Sequence, residues 1–106
     1  MKRYVVIFED SAKLDVRASY DWGLRVWGKR QAHTWARQLR EAVLNSLGIV
    51  PKAFPLAPED DEFSVEIRQM VVDRYRVLFT IRGHTVHVLH VRGAYERTLL
   101  QVEDDS

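Results

Sequence analysis

Six arginines, at positions 68, 74, 76, 82, 92 and 97, fall between Ile67 and Leu100, against only Asp73 and Glu96. A guanidinium is a planar fork of donors that keeps its charge, so this density of arginine suits recognition of carboxylate or phosphate. Three histidines lie among them, spaced His84-x-x-His87-x-x-His90. Imidazole can ligate a metal or carry a proton near neutral pH. The metal option fails on strand geometry. Odd separations point to opposite faces of a strand, which splits His87 from the other two, and at ~3.3 Å per residue His84 and His90 stand ~20 Å apart. Ligands of one ion need bonds of ~2 Å. No metal and no cofactor is therefore expected. Each histidine reads first as a surface or packing residue, with His87 or His90 the ones that could assist proton chemistry. The arginines also have a bland use, since charge on strand edges blocks edge-to-edge aggregation.

The element that must position these groups is Asp73–Arg92, DRYRVLFTIRGHTVHVLHVR. Two β-rich runs, Tyr75–Ile81 and Val86–Val91, flank a bend whose Gly83 supplies the positive φ of a tight hairpin. Alternation puts Tyr75, Val77, Phe79 and Ile81 on one face and Arg76, Leu78, Thr80 and Arg82 on the other. With Gly83-His84 as the turn, Arg76 is expected opposite Val91 and Tyr75 opposite Arg92, with His87 and Leu89 on the Arg76 face. Arg68 depends on the preceding turn. A two-residue Asp73-Arg74 loop puts it opposite Phe79, away from Arg76, and a shift of one residue brings it onto the Arg76 face. Pattern alone leaves that register open.

The rest of the chain supplies the support. Tyr4–Phe8 is a β-branched and aromatic run that reads as a strand buried on both faces or mid-sheet. Asp10 or Ser11 can cap a helix in which Ala12, Val16, Tyr20 and Leu24 share a face, with an interruption expected near Gly23 or Gly28. Trp22 and Trp27 lie at this corner and read as packing groups. A second helix, Lys29 to Leu47, carries the stripe Ala32, Trp35, Ala36, Leu39, Val43 and Leu47, stopped by Gly48 and Pro51. The short joint makes the two helices an antiparallel hairpin. Gly48 to Glu62 holds three prolines and the acidic run Glu59-Asp60-Asp61-Glu62, pinned by Phe54, Leu56 and Phe63. A strand over Phe63–Val72 completes a three-stranded meander. The order is β-α-α-β-β-β, an α+β domain spanning residues 1–106. Helices on one face of the sheet leave the other open for binding.

Composition excludes several classes. At 106 residues, 46% hydrophobic and 29% charged, the chain can build an ordinary core. There is no cysteine, so no disulfide frame and no thiolate metal site. The apolar run after Met1-Lys2-Arg3 is too short for a secretory signal, and nothing later approaches a membrane span, which places the expectation in the cytoplasm. Net charge is only +1, and all four lysines lie at or before Lys52.

Tyr75-Arg76-Val77-Leu78-Phe79, the two-residue turn and Val86-His87-Val88-Leu89-His90-Val91-Arg92 together resemble the C-terminal half of the RelE/ParE superfamily of type II toxin–antitoxin toxins. Phe54-Pro55-Leu56-Ala57-Pro58-Glu59 followed by Glu66-Ile67-Arg68-Gln69 is similar to one ParE-like branch. Ala12 through Asp15-Val16 resembles the opening of the family's first helix. The resemblance implies a RelE-like fold, a helical hairpin on one face of a four-stranded, mostly antiparallel sheet. It implies a plasmid-stabilisation-like toxin that forms a hetero-oligomer with a cognate antitoxin. Two activities go with the family: non-hydrolytic, ParE-like inhibition of DNA gyrase, towards which the balance leans, and RelE-like, metal-independent cleavage of mRNA on the ribosome. For cleavage, Arg76 matches the arginine that works on the phosphate and Tyr95 the position of a terminal tyrosine. Arg68, Arg76, His87, Arg92 and Arg97 are the candidate target- or phosphate-binding residues. Two departures stand out. Ile67-Arg68-Gln69 occupies the region where RelE itself has lysines, and Gly93 stands where many ParE-like relatives have histidine. A plainer role for Arg76 is a salt bridge to Glu66 or to the Glu59–Glu62 loop that fixes the sheet.

Overall fold

Around Gly83-His84 the chain turns back on itself as the alternation requires, with Gly83 at φ +60°. The computed structural model describes residues 3–93, so Tyr95 and Arg97 lie outside the described residues. Its strands are β1 (Val5–Phe8), β2 (Arg68–Val72), β3 (Tyr75–Arg82) and β4 (Thr85–Gly93), and its helices are α1 (Asp10–Val26) and α2 (Lys29–Leu47). The strands form one sheet in the order β1-β4-β3-β2. β2, β3 and β4 make an antiparallel meander, and β1 runs parallel to β4. This is the α+β architecture expected. Among the described residues no helix is long and apolar enough to cross a membrane.

Two details of register change which residues share a face. β2 and β3 are joined by Asp73-Arg74, with Asp73 in the left-handed region at φ +56°, a conformation aspartate tolerates better than most residues. That turn sets Arg68 opposite Phe79, on the side away from Arg76. Between β3 and β4 the ladder slips: Phe79 pairs with Val88, but Leu78 pairs with His90. Leu89 is the extra residue of a β-bulge. Arg76 therefore faces Arg92, and Tyr75 faces Gly93, not Val91 and Arg92 as uninterrupted pairing predicts. The bulge also overturns the parity argument for the histidines. His87 pairs with Thr80 and His90 with Leu78, so both lie on the Arg76 side of the sheet.

The main core sits between the helices and the sheet, where Val77, Phe79, Val86, Val88 and Val91 meet Ala12, Leu39, Val43 and Leu47. α1 continues through Gly23 and stops before Gly28, which has φ +93°. A Cβ on Gly23 would lie 2.9 Å from the Trp27 ring, so the glycine makes room for an indole. From there rings step inward, Trp27 to Trp35 (6.5 Å between centroids) and Trp35 to Tyr75 (4.9 Å). These contacts fix the helical hairpin to β3. Gly48 ends α2 with an ordinary αR φ of −72°; its glycine is needed because a Cβ would lie 2.5 Å from the Leu44 carbonyl oxygen.

β1 is an edge strand, with Val5 58% and Ile7 40% exposed, which corrects the expectation of a strand buried on both sides. Only the alternate residues Val6 and Phe8 pack on the core. β1 stops at Phe8 opposite Val88, and α1 takes over the edge of β4 beyond it. The Ser11 hydroxyl donates to the Leu89 carbonyl (2.6 Å), and the Asp15 carboxylate accepts from the Val91 amide (2.9 Å) and contacts His90 Nδ1 (3.0 Å). Ser11 thus serves the strand, and the helix N-cap is Glu9, without a side-chain cap. Asp15→Ala removes an acceptor from a backbone donor shielded by α1, and is expected to destabilise by about 1–3 kcal/mol. Asp15→Asn, which keeps an acceptor oxygen, is expected to lose less. Urea unfolding of the two variants checks this, and equal losses would show that the Val91 bond does not carry the effect.

Candidate target-binding site

The face opposite the helices is not left bare. The connection after α2 forms two short 3-10 helices, Pro51–Ala53 and Pro58–Glu62, and crosses part of that face. Its anchors are backbone bonds to β2: Gln69 N–H to the Pro55 carbonyl (3.0 Å), and Ala57 N–H to the Ile67 carbonyl (2.7 Å). The Asp60 carboxylate takes the Ile67 amide (2.8 Å). The β2 ladder begins only at Arg68, so the strand expected from Phe63 is cut short. Ala57, Ile67 and Leu78, with Leu89 against them, make a second small core on this side.

Over that small core lies the arginine site. Arg76 Nη1 donates to Glu59 Oε1 (3.2 Å) and to Gln69 Oε1 (3.1 Å), while Nη2 bonds to Glu59 Oε2. Arg92, the cross-strand neighbour of Arg76, reaches Glu59 Oε2 at 3.6 Å. The side chains of Glu59 and Arg76 are 12% and 21% exposed, against 45% for Arg92. A bidentate guanidinium–carboxylate pair screened from water is among the stronger side-chain contacts. Of the two roles the sequence left open for Arg76, the structure shows the salt bridge, made to Glu59 and not to Glu66.

The predicted site residues do not form one cluster. Arg76 and Arg92 share Glu59. His87 stands apart towards β1, with Nδ1 3.3 Å from the Glu9 carboxylate. Arg68 points the other way, donating to the Phe54 carbonyl (2.6 Å) and lying 3.6 Å from Glu66. Among the described residues no group of three or more His, Asp or Glu side chains could hold a metal. Gln69 was missed by the sequence reading, although the two-residue Asp73-Arg74 turn would have placed it on the Arg76 face. Also missed was a groove of about 720 Å³ between β1 and the helices, with Val6, Phe8 and Leu44 on its apolar side and Lys13, Arg17 and Arg40 as its cations.

The family model for the ParE toxin of the type II toxin–antitoxin system parDE matches residues 6–97. The chain belongs to the ParE toxin family. Among solved structures it is similar to a chain of the chromosomal ParDE toxin–antitoxin system from P. aeruginosa, at 18% identity and a TM-score of 0.71, over 85% of this chain and 95% of that one. No curated protein matches it. Within the ParE frame, Gly93 acquires a structural meaning. It is buried opposite Tyr75, on the helix side of the sheet. A side chain at this position would share the face of Tyr75 and not that of Arg76.

Removing the carboxylate from this site leaves Arg76 screened and unneutralised by Glu59. Glu59→Ala is expected to cost about 1–3 kcal/mol of stability, below the ~3–5 kcal/mol of a fully buried broken pair. A double-mutant cycle with Arg76→Ala is expected to give a coupling of about 0.5–3 kcal/mol. Additive losses in denaturant melts would mean that the pair contributes nothing as a pair.

Proposed function

We propose that this ParE-family toxin acts by a non-hydrolytic block of DNA gyrase and is neutralised by a cognate antitoxin with which it forms a hetero-oligomer. The observation that carries the reading is the Glu59–Arg76 pair. Cleavage of RNA requires a cation on the scissile phosphate and groups that move protons to and from its oxygens. The arginine in the matching position here already has Nη1 and Nη2 engaged by Glu59 and Gln69. A phosphate would have to displace a chelating carboxylate from a screened site before chemistry began. A gyrase-directed toxin needs no such opening, because its action is protein recognition.

The antitoxin reading is supported by the groove beside β1. β1 has a strand neighbour on one side only among the described residues, so its outer backbone edge can accept an added strand. Next to that edge, the apolar and cationic walls of the groove suit an amphipathic segment with acidic residues. Arg68, Arg76, His87, Arg92 and Arg97 remain the proposed target-contacting residues. Tyr95 belongs with Arg76 only in the ribonuclease alternative.

Inducible expression separates the readings. Gyrase-dependent DNA breaks and altered plasmid supercoiling are expected, with mRNA 5′ ends unchanged. Codon-positioned mRNA cuts that vanish in Arg76→Ala would overturn the gyrase reading in favour of ribosome-dependent cleavage. An intact growth rate would overturn both.

A further inference from the structure

β3 runs past the start of β2 and leaves a notch in the sheet. The pairing of β2 with β3 begins at Arg68 opposite Phe79, so Thr80, Ile81 and Arg82 have no strand beside them on that side among the described residues. The notch opens into a cavity of about 450 Å³ walled by Lys52, Arg68, Arg82, Glu66, Val65 and Ile81. Thr80, only 5% exposed, lines it as well. Three cations thus surround one carboxylate. Arg68 is held in place by its bonds to the carbonyls of Phe54 (2.6 Å) and Lys52 (3.5 Å). Glu66 sits 3.6 Å from Arg68. Among the described residues, Lys52 and Arg82 have no ion-pair partner.

We propose that this notch binds a terminal phosphate ester, carried either by a free mononucleotide or by the phosphorylated end of a nucleic acid strand. Charge decides the class. Three cations against Glu66 leave two positive charges, which a phosphomonoester with about −1.5 to −2 at pH 7 neutralises. A lone carboxylate or a backbone phosphodiester would leave one cation uncompensated. Guanidinium and ammonium also divide the work: Arg82 offers a planar fork and Lys52 a point charge, while Arg68, held by the Phe54 and Lys52 carbonyls, adds a fixed positive charge beside them. The cavity falls within the ~300–1,000 Å³ of small-molecule pockets and exceeds what phosphate alone would fill. Val65 and Ile81 provide apolar surface for the rest of the ligand. Arg76 takes no part in the notch, so the proposal stands whether the toxin acts on gyrase or on mRNA.

The test is a titration of the purified, ¹⁵N-labelled chain followed by NMR, with adenosine monophosphate, adenosine, and a short oligonucleotide with or without a 5′-phosphate. Adenosine monophosphate is expected to shift the amides of Thr80 to Gly83, and adenosine is not. Lys52→Ala with Arg82→Ala is expected to weaken binding at least about tenfold, the loss of one charge-assisted contact or more. Both residues are exposed, so the fold is expected to persist in the double variant. Glu66→Gln, which removes the competing carboxylate, is expected to tighten binding. A phosphorylated oligonucleotide that outbinds the mononucleotide would assign the ligand as a strand end, and equal affinity would assign it as a nucleotide. Equal shifts from adenosine and its monophosphate, absence of shifts, or full binding by the double variant would overturn the proposal.

Discussion

One carboxylate decides what the sheet presents to the outside. Glu59 lies in the connection between α2 and β2, and its bonds to Arg76 and Arg92 tie that connection across β3 and β4. Without such a tie, a proline-rich segment would be held by its bonds to Ile67, Arg68 and Gln69 and by the packing of Ala57. With it, Ala57 and Ile67 are pressed onto Leu78, and a face that two helices leave open gains a small core of its own. An ion pair screened from water is a weak source of net stability but a strong constraint on geometry, since either charge is costly to leave alone. The loop can take few other positions.

That constraint divides the sheet into functional territories. Beneath the loop lie Arg76 and Arg92, already engaged. Towards β1 the same face stays open, with Val5 and Ile7 exposed and His87 against Glu9. At the far end of β3, beyond the reach of β2, a basic notch faces solvent. Ion-paired arginines, an exposed strand edge and a basic notch thus occupy separate parts of one sheet.

Much of this was legible beforehand. The hairpin around Gly83, the span of α2 and the element order followed from alternation, helical spacing and turn chemistry, which are local properties. The failures were non-local. Leu89 carries no mark of a bulge, because a bulge is set by how two strands accommodate a loop and a helix at once; that single residue moved Arg92 opposite Arg76 and put His87 and His90 on one face. The apolar run in β1 suggested a central strand, yet its position was set by topology, and α1 took the edge of β4 that a longer strand would have used. The Arg76 site was half read. The sequence offered the acidic loop as a partner, but only the folded loop shows Glu59 as the residue that arrives and Gln69 as the one beside it.

The parallel pairing of β1 with β4 has a kinetic side. Val5 finds its partner in Thr85, across nearly the whole described chain, and loop closure over such a span is slow and entropically costly. While the polypeptide emerges from the ribosome, β1 must wait, and with it the first turn of α1, whose Ser11 and Asp15 are fitted to β4. The helical hairpin can form early, but the sheet cannot be completed until the last strand has been made.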